Sequence, residues 1–425
     1  MTTPVLILLA HVALAAGPTV KVKPLAGPST EGQLVALTAS AAVVQTVAGE
    51  QSIPAAELMW LEFARESASL AKPTLWVELV DGSQLNAVSY QTSAGQTNGG
   101  QAQLNLASGI SLELPVRAVR TVRFRQQLSP ALAAQWREIA GGTASGDVLV
   151  VRKSATMATP PAGEEASAET EVSLDQVEGV LLDVAAETVR FEIDSEKIDV
   201  RREKLEGLIY YRPKQAEPSP PLCVLKDTGG SSWQVRELSL TGSSLRTTSV
   251  GNVPAEWPLE TIDKLDFSAS NVRFLADIDP DSGEGAPAIS LEPSSLAHKF
   301  GRIFQVRSAP PFGAAFFSIG GVRYDSGLSL HSPLTLVYRV PEKFRRLKAA
   351  LGVDDSLVIP GQFELVILGD GQELFRQAFS PDDPRKPIPL DLDVSKVRRV
   401  SIVLDPQGGQ DIGDQLNLCE ARFTK

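Results

Sequence analysis

Two kinds of residue in this chain have the chemistry to act on a ligand: the histidines beyond the first 17 positions, and aspartates set in pairs. The histidines are His298 and His331, too few for a histidine metal site with its supporting hydrogen bonds. A serine–histidine–aspartate relay would need one of them beside a recognisable nucleophile, and neither has that setting. No G-x-S-x-G elbow, H-E-x-x-H, phosphate loop or dinucleotide fingerprint occurs. The carboxylate pairs are Asp354-Asp355 and Asp411/Asp414. Two acids can hydrolyse a glycosidic bond when they flank it, but adjacent residues on extended backbone point to opposite faces. As turn residues these aspartates would cap backbone N–H groups. As oxygen ligands Asp354, Asp355, Asp411 and Asp414 would hold a structural Ca²⁺. Both roles stay open, and catalysis is the least favoured.

The elements that must position these residues are strands. Leu334, Leu336, Tyr338 and Val340 fall at period two, and Leu347, Ala349, Leu351 and Val353 repeat the pattern. A period of two puts one set inward and the other outward. His331 sits beside the first run, after Leu328 and Leu330, in a setting that suits a hydrogen-bonded structural histidine. Asp370-Gly371 lies between alternating apolar runs and reads as a tight hairpin, since both central residues need positive φ.

The wording of this stretch resembles the family NPCBM/NEW2, whose name denotes a carbohydrate-binding module, built as a β-sandwich. The matching residues are Gly320-Gly321, Tyr324-Asp325-Ser326-Gly327-Leu328, His331-Ser332-Pro333 and Leu351-Gly352-Val353-Asp354-Asp355. Phe363 to Ile367 with Gly369-Asp370-Gly371, and Asp411 to Arg422, continue the likeness in the right order over the last third of the chain. The resemblance implies carbohydrate or glycoprotein as ligand, with Tyr324, His331, Asp354, Asp355, Asp414, Gln415 and Asn417 as candidate contacts. One departure weakens the sugar site more than the fold. Where the family's last strand commonly shows a D-H-x-x-W-like pattern, this chain reads Asp414-Gln415-Leu416-Asn417-Leu418, and all five tryptophans precede the last domain. Tyr324, Phe312, Phe316 and Phe317 are the nearest aromatic substitutes.

Four earlier segments end alike: Leu58/Leu61/Phe63, Val119/Val122/Phe124, Leu205/Leu208/Tyr210 and Ile262/Leu265/Phe267. A three-residue step fits one tight helical turn and the following two-residue step a strand. With short strands upstream of each, they read as small SH3-like or Sm-like β-barrels. One helix stands between the second and third units, with Ser129 as cap, Pro130 in its first turn, and Leu132, Trp136 and Ile139 on one face.

The expected order is a signal peptide at 1–17, two β units at 18–128, a helix at 129–142, and a third β unit at 147–212 with an unstructured insertion at 153–171. A linker at 213–221, a fourth unit at 222–267 and a β-sandwich at 268–425 follow. The leader carries an apolar run from Pro4 to Leu14 and then Ala13-Leu14-Ala15, a secretory pattern. Export to the periplasm, envelope or exterior follows from it. No later stretch reaches the ~18 apolar residues of a membrane span. A net charge of −11 argues against nucleic acid. Cys223 and Cys419 read as buried free thiols rather than a disulfide framework. The fold class is therefore all-β, and the role is non-catalytic recognition, or alternatively an envelope scaffold that binds another protein.

Overall fold

The computed structural model describes residues 17–25, 29–64, 70–92, 100–126, 129–155, 171–212, 219–284, 316–407 and 413–425. Most of the leader, the core of the expected insertion, residues 213–218 of the linker, His298, Phe312 and Asp411 lie outside them. The chain divides into two compact units, Met1–Ser270 and Asn271–Lys425.

The N-terminal unit repeats one five-stranded meander four times. The first runs Thr19–Pro24, Thr30–Leu37, Ala41–Thr46, Gly49–Pro54, a 3₁₀ turn at Ala55–Glu57, and Leu58–Phe63. The others start at Leu75–Leu79, Asp147–Ala155 and Cys223–Asp227, and each ends in a 3₁₀ turn and a short fifth strand. In every copy the first strand pairs with the second and the fifth, and the third with the second and the fourth. The spaced apolar residues of the endings explain the shape. Leu58, Leu61, Leu205, Leu208, Ile262 and Leu265 are wholly buried, because the turn resets the strand so that its inward positions match the core.

The expected barrels do not close. Among the described residues the fourth and fifth strands of a copy share no ladder, because the free edge of the fifth strand is already taken. Leu265 pairs with Leu61, joining copies one and four, and Val122 pairs with Leu208, joining copies two and three. Edge-to-edge pairing satisfies the backbone groups that closure would have used.

A second contact joins copies two and four through their first turns. Asp81 accepts from the N–H groups of Ser83 (2.9 Å) and Gly251 (3.0 Å), and Ser83 Oγ accepts from Gln234 N–H (2.9 Å). Reciprocally, Asp227 accepts from Ser231 N–H (2.6 Å) and Ser108 Oγ–H (2.6 Å), and Ser231 Oγ accepts from Asn86 N–H (3.1 Å). The two turns clasp each other like the halves of a dimer. The helix Pro130–Gly141 buries Leu132 and Trp136, and Trp136 packs on Val148 and Val150 of copy three. Ser129 occupies the N-cap position, but its side chain makes no capping bond.

The C-terminal unit is a two-sheet antiparallel sandwich. One sheet orders Val272–Phe274, Gln415–Thr424, Arg346–Val353 and Ile388–Asp393, with Gly327–His331 also on Gln415–Thr424. The other orders Ser282–Glu284, Leu334–Arg339, Arg399–Pro406, Phe363–Gly369 and Gln372–Phe379. Leu336, Tyr338, Leu347, Leu351, Ile402 and Leu418 are among the inward residues that fill the space between them. A hairpin of Phe317–Ile319 and Val322–Tyr324 lies over the outer face of the first sheet, where Phe317 and Ile319 pack on Cys419.

Candidate functional site

The closing strand Gln415–Thr424 organises the site. Its register sets Ser329 opposite Asn417 and His331 opposite Gln415, while Gly352 faces Asn417 from the other side. Leu328, Leu330, Leu416 and Leu418 turn into the core. By alternation Ser329, His331, Gln415 and Asn417 share the opposite face, so a polar strip runs beside the hairpin.

Depth then divides the candidates. Asn417 is wholly buried and donates from Nδ2 to Ser318 O (3.3 Å) and to the Asp354 carboxylate. Asp354, 2% exposed, also accepts from the Ser356 N–H at 2.8 Å. These bonds tie the hairpin to the sheet. Asp355 grips the hairpin's tip instead: its two oxygens accept from Gly320 N–H (2.7 Å) and Gly321 N–H (2.9 Å). Both glycines have positive φ, and a Cβ at Gly320 would meet Arg385 O at 2.1 Å, so the turn requires glycine there. Asp414 is buried and accepts from Ser332 Oγ–H at 2.6 Å.

The half-buried members are His331, Gln415 and Tyr324. Gln415 Nε2 donates to Ser329 Oγ at 2.9 Å. His331 Nδ1 lies 2.6 Å from the Ser332 carbonyl, which can only accept, so the ring donates from Nδ1 and its Nε2 is the acceptor when neutral. Tyr324 packs against Phe317 and Cys419, and burial raises its phenol pKa. Burial likewise pushes the Cys419 thiol up to about 12, and Cys223 is a second buried free thiol.

The residues therefore fall into a latch (Asp354, Asn417), a turn clamp (Asp355), a strand-end bond (Asp414) and a solvent-facing pair (His331, Gln415). The carboxylates of Asp354, Asp355 and Asp414 accept from N–H and O–H donors belonging to separate elements. Among the described residues no three His, Cys, Asp or Glu side chains gather as a cation would require. Ca²⁺ therefore does not fit these three carboxylates as a group. Ser329, Ser332 and Arg385 were not among the sequence candidates. Ser329 was legible, since it alternates with Leu328 and Leu330 on the face of His331. Arg385, which donates to Asp355 O (3.2 Å) and Leu357 O (2.6 Å), carried no local signal.

Residues 290–424 match the family model of the NPCBM/NEW2 domain. The C-terminal unit carries an NPCBM/NEW2 domain. No curated protein matches the chain. Among solved structures, a CBM51 module of a Clostridium perfringens GH95 protein, in complex with methyl-galactose, is 14% identical with TM-score 0.30, over 36% of this chain and 99% of that one. The CBM51-2 and INT domains of Clostridium perfringens ZmpB are 14% identical with TM-score 0.29, over 48% of this chain and 43% of that one. Tandem CBM51 modules of the family 98 glycoside hydrolase from Streptococcus pneumoniae are 10% identical with TM-score 0.28, over 84% and 92%. Likenesses at these scores carry no weight for this chain. The family match alone supports a carbohydrate-binding role for the NPCBM/NEW2 domain.

Proposed function

We propose that this is an exported, non-catalytic protein whose NPCBM/NEW2 domain recognises a polysaccharide or glycoprotein of the envelope or exterior. The family match over residues 290–424 is the observation that carries this reading. Its contact chemistry comes from His331 and Gln415, which face each other across adjacent strands and remain half-buried. An imidazole and a carboxamide supply both donors and acceptors, as sugar hydroxyls require. The leader's secretory pattern supports export. Among the described residues no helix is long and apolar enough to cross a membrane.

The test is titration of the full chain against a glycan and polysaccharide panel, with wild type beside His331→Ala and Gln415→Ala. Saturable binding to one glycan class, weakened about tenfold by either substitution, is the expected result. Binding to no glycan would overturn the reading.

A second reading, an envelope scaffold that binds protein, is favoured by one observation. Val358 and Ile359 stand 90% and 73% exposed at a loop held to Gly413 by the Gly361 N–H (2.8 Å). Paired exposed aliphatic residues suit a protein surface better than a sugar ring. Capture of an envelope protein that persists after glycosidase treatment and is lost in Val358→Ser/Ile359→Ser would select this alternative.

A further inference from the structure

The seam between the second and third copies of the N-terminal unit holds three arginines around one carboxylate. Glu206 is 1% exposed and lies at a register shift between the Leu205–Ile209 and Asp147–Ala155 strands. Arg152 Nε stands 3.3 Å from its Oε2, and the charges of Arg123 and Arg125 also act on it. Three guanidinium charges thus act on this one carboxylate, in a chain whose net charge is −11. The donors are not used up either. Arg123 Nε donates to Arg125 O (3.1 Å) and Arg125 Nη2 to Glu203 O (2.5 Å). Yet the buried Nε of Arg125 has no acceptor in hydrogen-bonding geometry among the described residues, and that of Arg152 faces Glu206 Oε2 as an ion pair outside that geometry. Native proteins rarely leave such donors unmet.

The surroundings add shape. The Arg123 guanidinium lies 5.3 Å from the ring centre of the half-buried Trp76. Trp136 closes the other side, within 2.8 Å of where a Cβ on Gly207 would stand. Arg152 keeps 28% of its side chain exposed, so the cluster is reachable from solvent.

We propose that Arg123, Arg125 and Arg152 form an oxyanion-binding site. Planar guanidinium forks match the spacing of carboxylate, sulfate and phosphate oxygens, and incoming oxygens would take up the unused N–H groups. Glu206 sits against the Arg152 fork and holds back part of the cluster's charge. Trp76 beside Arg123 gives the C–H face of an acidic sugar, whose carboxylate the guanidinium would take, an apolar ring to lie against, which the inorganic ions cannot use.

The experiment is calorimetric titration of the full chain at low ionic strength with inorganic sulfate, inorganic phosphate and glucuronate, with glucose as the neutral control. Saturable binding of an oxyanion and none of glucose is expected, with glucuronate tightest if the ring takes part. Arg125→Met and Arg152→Met should each weaken it about tenfold. Glu206→Gln keeps the side-chain shape while removing the competing charge, and should tighten it by a similar factor. This opposite sign separates a binding site from a purely structural cluster, and it remains readable if an arginine variant fails to fold. Absence of binding by all three oxyanions, or weaker binding in Glu206→Gln, would overturn the proposal. The sulfate and phosphate arms carry no sugar, so their outcome is separable from that of the C-terminal sugar reading.

Discussion

Asp354 and Asp355 adjoin in sequence but serve different parts of the sandwich. The first reaches inward to Asn417, 63 positions away, and the second outward to the backbone of Gly320 and Gly321. Removing the buried carboxylate takes one of the two acceptors of the Asn417 amide and leaves the Ser356 N–H unmet, and bonds to a charged group contribute roughly 1.5–3 kcal/mol each. Asp354→Ala should therefore destabilise the C-terminal unit by about 3 kcal/mol in urea unfolding. A loss below about 1 kcal/mol would mean that the latch is not what holds the hairpin down. The sequence left these residues as turn caps or cation ligands because both need an oxygen in a loop. Choosing between them takes knowledge of which donors arrive from elsewhere in the fold.

At the scale of elements, local pattern was the better guide. The turn at Asp370-Gly371 takes positive φ at both positions, 48° and 86°, as its residue types require. Asp370 does more than turn the chain. Its carboxylate accepts from the N–H groups of Arg398 and Arg399, both at 2.9 Å, and this holds its pKa below the ordinary 3.8. A depressed folded pKa contributes stability that is complete above the unfolded value and is lost as pH falls through the folded one. Acid unfolding of the C-terminal unit should thus steepen below pH 3.8, and Asp370→Asn should remove that part of the slope. An unchanged acid limb in the variant would show that the two backbone bonds contribute nothing. The repeated endings were equally legible, because a 3₁₀ turn and a strand impose their own spacing on apolar residues. Barrel closure was not legible, because the edge that closure needs is filled by a strand from a distant copy.

For the whole molecule, the division at Ser270 and Asn271 implies two cooperative transitions rather than one. Calorimetry of the full chain should resolve them, and substitutions should sort between them. Ser83→Ala, which strands the Gln234 N–H inside the clasp, should lower one transition by a few degrees. Asp354→Ala should lower only the other. A common shift of both by either variant would show that the chain unfolds as one unit.

The all-β class, the likeness of the last third to a sandwich family and the apolar rhythm of the strands could all be read from the residue order. These are properties of neighbouring residues, and period and turn chemistry act within a few positions of the chain. Which polar residues face solvent was set by the assembled fold. Asp354, Asn417 and Asp414 are spent inside, while His331 and Gln415 remain at the surface. It alone also brought Arg123, Arg125, Arg152 and Glu206 to one seam. Burial and charge act through space, and their partners stand tens of positions apart in the chain.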